Sequence, residues 1–336
     1  MRNIFKKKKY LDCPHLKHTL HFFYDNISAC PSNIKGVIFN KIDDRYLLKS
    51  SCAEELYNQR KNIIKKINSF FLDYSSPVEC KHCTFFQENL ITEKVSQFEN
   101  IVNEVYIQNF MGCNAKCTYC TYSYCRNNNQ IYEIFPILNE LVENNILSKC
   151  ANVFISGGEP TISPEFEKVF SLLINYLESK IEVFTSCIKY SKSIEDAFKK
   201  NKVKLLVSLD SSNSIIYKKI KKVDAFDKVI LNLKSYISAS ENAKNNVILK
   251  YIVLDGVNDK LEDIYAFLDL VASMEIKNVM FSFDYEKYKY DYDIPIPEYY
   301  YEIFSQFSKY ANKLNLNVDL STQAEAVMKK YRDEDF

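Results

Sequence analysis

From about residue 103 onward, short apolar runs alternate with amphipathic stretches. The runs at 105–110, 152–155, 181–185, 203–209, 247–254 and 278–283 predict strands, and the stretches at 131–145, 164–177, 193–200, 226–238 and 261–274 predict helices between them. This repetition permits few folds. A strand followed by a helix and another strand closes as a parallel pair with a right-handed crossover, and the helices then cover the sheet. Six such units predict an α/β fold, a partial (β/α)6 TIM-like barrel, short of the eight units that close a full one. An aromatic stretch at 285–292, a break at Pro295 and Pro297, and two more helices around 316–320 complete the expected C-terminal part.

Residues 1–100 lack the rhythm. They carry all four histidines (His15, His18, His21 and His82) and five of the 11 cysteines. Polar Gln, Glu, Thr and Asn cluster at 85–102, which places a boundary there. The expected organisation is a small Cys-rich accessory module at 1–100, a core barrel at 101–290 and a helical extension at 291–336.

The apolar share of 47% in 336 residues supports a sizeable core. A formal net charge of +1 leaves no global field for a polyanion, so a nucleic-acid partner is not expected. The basic run at 6–9 has no apolar segment after it and reads as a solvated tail rather than a signal peptide. No run is long enough to span a membrane. A cytoplasmic location follows, where thiols stay reduced and clustered cysteines favour metal or cluster ligation over disulfides.

Three cysteines share one short segment: Cys113-Asn-Ala-Lys-Cys117-Thr-Tyr-Cys120. Three thiolates at this spacing can hold three corners of an iron–sulfur cubane, and an iron without a protein ligand stays open to a cofactor or substrate. The bland alternative is a zinc knuckle or buried structural thiols, but zinc wants four ligands. The segment follows the strand expected at 105–110 and so lies at a carboxyl end, where such sheets bind ligands. The next strand ends in Ser156-Gly157-Gly158-Glu159-Pro160. Only five glycines occur, where average usage would give about 24. Two adjacent ones therefore point to a backbone that approaches a ligand closely, beside the Glu159 carboxylate.

The cysteine triple with Tyr119 before its last member, followed one unit later by Gly157-Gly158-Glu159-Pro160, resembles the radical S-adenosylmethionine (SAM) superfamily. Val207-Ser208-Leu209-Asp210 is similar to that family's fourth-strand motif, and the resemblance covers about residues 103–285. It implies a [4Fe–4S] cluster on Cys113, Cys117 and Cys120, with SAM chelating the open iron. It implies that Gly157, Gly158 and Glu159 hydrogen-bond the SAM amine, that Tyr119 lies near the adenine, and that Ser208 and Asp210 face the carboxylate or ribose. Val253 and Val279 are weaker adenine contacts by the same resemblance and read more simply as core. The implied activity is reductive cleavage of SAM to a 5′-deoxyadenosyl radical that takes hydrogen from a peptide, carbohydrate or other small molecule, as an oxidoreductase or another radical-mediated modifying enzyme. The implied electron donor is a flavodoxin or ferredoxin. A non-catalytic Fe–S electron carrier or metal-binding protein is the alternative, against which Glu159, Ser208 and Asp210 speak.

Two positions depart from the family pattern. Thr185-Ser186-Cys187 stands where Thr-Asn-Gly is frequent, and Lys221-Lys222 where Arg-Gly is frequent. Lysine lacks the bidentate fork of arginine, which puts a carboxylate clamp there in doubt. The N-terminal Cys13-Pro14-His15, Cys30 and the Cys80/Cys83 pair, with segments 20–25 and 53–57, resemble SPASM or twitch accessory domains, although these usually follow the barrel. That resemblance implies an auxiliary [4Fe–4S] cluster on Cys13, Cys30, Cys80 and Cys83; structural zinc, with His15, His18 or His82, is the alternative. Cys52 and Cys150 read as small buried hydrophobes. Cys125 and Cys187 read as inert thiols near the mouth, 255–259 as the turn after the fifth strand, and the tyrosines of 285–301 as mostly surface or packing.

Overall fold

The computed structural model describes residues 10–11, 13–24, 27–28, 54–58, 61–62, 65, 90–91, 99–120, 132–284, 299–321 and 324. The chain divides into two compact units. One comprises Met1–Phe110, Asn129–Ile155 and Lys168–Ser179, the other Met111–Asn128, Ser156–Glu167 and Lys180–Phe336.

In the first unit, β1 (Tyr10–Leu11) pairs antiparallel with β4 (Leu90–Ile91). β2 (Thr19–Phe23) pairs antiparallel with β3 (Ile27–Ser28) and parallel with β5 (Val102–Gln108), which pairs parallel with β6 (Leu147–Ile155). Every residue of β2 is buried, as in a parallel strand covered on both faces. The sequence reading expected no βα rhythm before residue 100, and β2 shows why it was hidden. Thr19 and His21 interrupt the apolar run, and both are satisfied by distant partners. Thr19 Oγ1 donates to Glu104 Oε2 at 2.9 Å, and His21 Nε2 lies 2.9 Å from Gln108 Oε1. The Tyr132 hydroxyl donates to the Phe23 carbonyl at the end of β2.

In the second unit, β7 (Ile181–Thr185), β8 (Val203–Ser208), β9 (Val247–Val253), β10 (Asn278–Phe283) and β11 (Asn317–Leu320) pair in that order, all parallel. Each crossover carries at least one helix, as parallel pairing requires. The helices run Lys192–Lys199, Ser214–Lys221, Phe226–Ile237, Ala243–Asn246, Leu261–Ser273 and Tyr299–Lys313. Two begin on sequence-encoded caps. Ser191 Oγ accepts from Ile194 N–H, and Asn213 Oδ1 accepts from the N–H groups of Ile215 and Ile216. The core holds Val253 and Val279, each fully buried.

The strands expected at 181–185 and 278–283 have those bounds, and the other four barrel strands differ at their ends by a few residues. Residues 316–320 are not helical. The preceding helix stops at Lys313, Asn315 turns left-handed with φ 56°, and Asn317–Leu320 enters the ladder beside β10. Helix Ser214–Lys221 was not anticipated, and Cys150 is exposed rather than buried. Residues 255–258 form the expected turn after β9. Cys30, Cys52, Cys80, Cys83, Cys125, His82, the basic run at 6–9 and the stretch 285–298 lie outside the described residues. Among the described residues no helix is long and apolar enough to cross a membrane.

Candidate active site

The cysteine segment belongs to the second unit, and the backbone explains how it is held. A helix leaves its last carbonyls without intrahelical partners. At the end of Ser214–Lys221, the Ile220 carbonyl accepts from Thr118 N–H at 3.0 Å and the Lys221 carbonyl from Lys116 N–H at 2.8 Å. The loop carrying Cys117 is thus stitched to a helix terminus that needs donors. Its start is clamped from the other side. Glu159 N–H donates to the Gly112 carbonyl at 2.8 Å, and a Cβ on Gly158 would stand 2.2 Å from the same oxygen. The close approach read into Gly158 is therefore an approach to the chain's own Met111–Gly112 backbone. Gly157, with φ 101°, supplies the turn that permits it.

Cys113, Cys117 and Cys120 are half-buried. Burial pushes the Cys113 thiol up to about 11; the Ala115 N–H that donates to its sulfur at 3.4 Å pulls it down, and the neighbouring Cys117 and Cys120 push it further up. Burial also raises Cys117, against the nearby Lys221 ammonium. The three sulfurs thus lie within electrostatic reach of one another. Among the described residues, no group of three His, Cys, Asp or Glu side chains is gathered so as to hold a metal ion. A tetrahedral zinc needs all its ligands on one atom, whereas a cubane gives each cysteine its own iron and tolerates wider spacing. Three half-buried thiols on one loop, beside a buried cation, fit a negatively charged cluster.

That cation is Lys221, 2% exposed in its side chain. Its ammonium donates to Asp210 Oδ2 and to the Tyr119 hydroxyl, and the hydroxyl donates to Asp210 Oδ2 at 2.6 Å. Burial disfavours the ammonium, but Asp210 and Cys117 outweigh it, and its pKa rises. Lys221 also lies 5.0 Å from the Tyr119 ring centroid, and the ring packs on Ile220, Ile252 and Leu254. Asp210 has φ 63° and is fully buried. Its Oδ1 accepts from Ile252 N–H at 3.0 Å, and its carbonyl accepts from Asn258 Nδ2 at 2.8 Å. Asn258 further donates to the Ile252 carbonyl and accepts from Leu254 N–H. Ser208 ends β8, part-exposed, opposite Lys250.

Glu159 is 1% exposed and fully engaged. Its Oε1 accepts from Thr161 N–H at 3.2 Å, Thr161 Oγ1 at 2.6 Å and Thr185 Oγ1 at 2.7 Å. Its Oε2 accepts from the N–H and Oγ of Ser186, both at 2.6 Å. Five donors use the capacity of one carboxylate. Ser186 Oγ also reaches Asn114 Oδ1 at 3.0 Å, inside the cysteine loop. Glu159 therefore braces the end of β7, and through Ser186 the cysteine loop. Cys187 follows, buried, at φ 60°; burial raises its thiol well above the usual range, which disfavours the thiolate.

Tyr119, Glu159, Asp210 and the cysteine loop, all named from sequence, come together in one unit. Asn258, Thr185 and Ser186 were not assigned roles. Their signal is positional: Thr185 ends a predicted strand, Ser186 follows it directly, and Asn258 lies in the turn after the next-but-one predicted strand.

Residues 107–268 match the family model described as the Radical SAM superfamily. The dual-specificity RNA methyltransferase RlmN of Wigglesworthia glossinidia brevipalpis is 28% identical over 268 residues, which cover 71% of this chain and 67% of that protein. RlmN of Buchnera aphidicola subsp. Cinara cedri is 27% identical over 173 residues, covering 46% of this chain and 48% of its own. The chain thus spans between about half and two thirds of these curated relatives. In structure it is similar to Streptococcus suis SuiB bound to the precursor peptide SuiA, with a TM-score of 0.51 at 17% identity over 84% of this chain and 57% of that one. At that identity the likeness concerns the fold, an α/β partial barrel with largely parallel strands. Over residues 107–268, just under half of the chain, the protein is therefore similar to the Radical SAM superfamily.

Proposed function

We propose that Cys113, Cys117 and Cys120 hold a [4Fe–4S] cluster at which SAM is cleaved reductively, and that the product radical modifies a peptide, carbohydrate or other small molecule. The observation that carries this reading is the double anchoring of the cysteine loop: to the carbonyl end of helix Ser214–Lys221 and to the Gly158–Glu159 backbone. When bound, the reduced cluster and SAM supply a 5′-deoxyadenosyl radical able to take hydrogen from an unactivated carbon. The chain positions and shields. The Lys221 ammonium offsets negative charge next to Cys117, Glu159 and Asn114 fix Ser186 beside the loop, and Tyr119 stands with its hydroxyl tied to Asp210. Gly157 and Gly158 offer backbone groups, and Ser208 the end of β8, to the SAM amino acid and ribose.

Anaerobic reconstitution of the wild type and a Cys113→Ala/Cys117→Ala/Cys120→Ala variant tests the ligand set. The wild type is expected to hold this cluster, and the variant to lack its iron and sulfide. Equal loading of both would contradict the assignment. The variant also tests a second proposed site, an auxiliary cluster on Cys13, Cys30, Cys80 and Cys83. Iron and sulfide remaining in the triple variant support that cluster, whereas zinc without sulfide opposes it.

RNA is the substrate class in the name of the RlmN relatives. It is less favoured here, because 44 basic residues are balanced by 43 acidic ones.

A further inference from the structure

The outer side of helix Ser214–Lys221 carries a local charge that the chain as a whole lacks. Residues 113–120 and 211–223 together hold five lysines and no aspartate or glutamate, although basic and acidic residues nearly cancel over the whole chain. Lys221 is buried in the site, whereas Lys116, Lys218, Lys219 and Lys222 are exposed. Ile215, Lys218, Lys219 and Lys222 share one side of the helix at spacings of three and four residues. Tyr217, Ile220 and Lys221 face inward. Lys116 joins the outer group because its N–H donates to the Lys221 carbonyl at 2.8 Å. Asp224 takes up Lys218 at 2.7 Å. Among the described residues, Lys116, Lys219 and Lys222 enter no ion pair.

The cysteine loop meets the surface at this face. Lys116 and Thr118 are exposed on either side of the half-buried Cys117. Ile215, in the first turn of the helix, is 78% exposed. An apolar contact point beside charges of one sign suits a brief protein encounter. The charges steer the approach, and a small contact area keeps the complex short-lived, as in electron-transfer pairs. A cluster on this loop needs an electron from outside, and a donor delivers it best where the ligand loop lies nearest the solvent. A single-stranded nucleic acid would call for aromatic platforms among the cations, and the exposed side of this helix carries none.

We propose that Lys116, Lys219 and Lys222, with Ile215, form the docking face for an acidic one-electron donor protein of the flavodoxin or ferredoxin class. The proposal rests on the reading of the cysteine loop as a [4Fe–4S] site. The docked donor is oxidised by one electron and the cluster reduced by one; no bond is made or broken and no proton moves.

The test compares reconstituted wild type with Lys219→Glu/Lys222→Glu and with a control of equal charge change, Lys309→Glu/Lys313→Glu, at exposed positions of helix Tyr299–Lys313. One readout is the dissociation constant of an acidic flavodoxin and of an acidic ferredoxin. The other is 5′-deoxyadenosine formation driven by either protein or by dithionite, which needs no docking face. At about 0.01 M ionic strength, where charges act over about 30 Å, the Lys219/Lys222 variant should bind the donor about tenfold or more weakly and lose donor-driven turnover. The gap should narrow as salt approaches about 0.1 M. Dithionite-driven turnover, and the control throughout, should match the wild type. Wild-type donor affinity in the variant, an equal loss in the control, or a dithionite-driven loss as large as the donor-driven one would overturn the docking face. So would a wild type that takes electrons from dithionite but from neither protein. If the variant instead loses affinity for a transfer-RNA probe and keeps the donor, the face belongs to a nucleic acid and the proposal falls. A wild type that forms no 5′-deoxyadenosine even with dithionite refutes the SAM reading, whereas the donor-binding comparison stands apart from it.

Discussion

Lys221 joins three features of the site: its carbonyl accepts from the cysteine loop, its ammonium neutralises Asp210, and the same ammonium lies over the Tyr119 ring. Removing the charge leaves Asp210 buried and unpaired. Lys221→Met should therefore lower unfolding stability by about 3 kcal/mol or more in denaturant titration, while Tyr119→Phe, which removes one hydroxyl, should cost about 1 kcal/mol. A Lys221→Met protein as stable as wild type would show that Asp210 does not depend on this pair. The next residue carries a different strain. Lys222 is exposed and caps the helix at φ 56°, where glycine is the unstrained choice. Lys222→Gly should raise stability by about 1 kcal/mol, and a lower midpoint of thermal unfolding would contradict that. The cysteine ligands were legible because they are close in sequence. The partners of Asp210 were not: Tyr119 donates to it across 91 residues and Asn258 across 48, separations that no local pattern encodes. The motif residues Glu159 and Asp210 could be named from sequence, yet their bracing role appears only once their donors are counted.

Among the elements, β2 departs most from its sequence pattern. Thr19 and His21 conceal a strand that is buried throughout, and helix Pro14–His18 before it places His15 on Glu104 of β5 at 3.0 Å. Burial pushes the Glu104 carboxyl up, but hydrogen bonds from His15, Tyr106 and Thr19 outweigh it and hold the group below its usual 4.5. The Glu104 hydrogen bond raises His15 above its usual 6.5, against burial. The signs follow from linkage. A depressed carboxyl contributes stability above about pH 4.5 and loses it as pH falls through the folded value. A raised histidine contributes fully below about pH 6.5 and loses it as pH climbs through its own folded value. The stability difference between wild type and Glu104→Gln should therefore peak between about pH 4.5 and 6.5. A difference independent of pH would mean that the pair carries no charge-dependent energy. By contrast, β7 to β10 were readable because apolar runs bounded by amphipathic helices carry their own signal. β11 was misread because its alternation, polar Asn317 and Asp319 against apolar Val318 and Leu320, runs over only four residues, and its pairing is decided by the backbone of β10.

At the scale of the whole molecule, strand–helix repetition led to the α/β partial barrel, and the structural likeness to SuiB agrees with it. The family match over residues 107–268 spans the cysteine loop, Glu159, Asp210, Lys221 and Asn258 together. The central claim is that these residues serve the cleavage of SAM. Anaerobically reconstituted protein, reduced with dithionite and given SAM, should release 5′-deoxyadenosine and methionine, and the Cys113→Ala/Cys117→Ala/Cys120→Ala variant should release neither. An intact, reducible cluster on these cysteines that forms no 5′-deoxyadenosine would contradict the account.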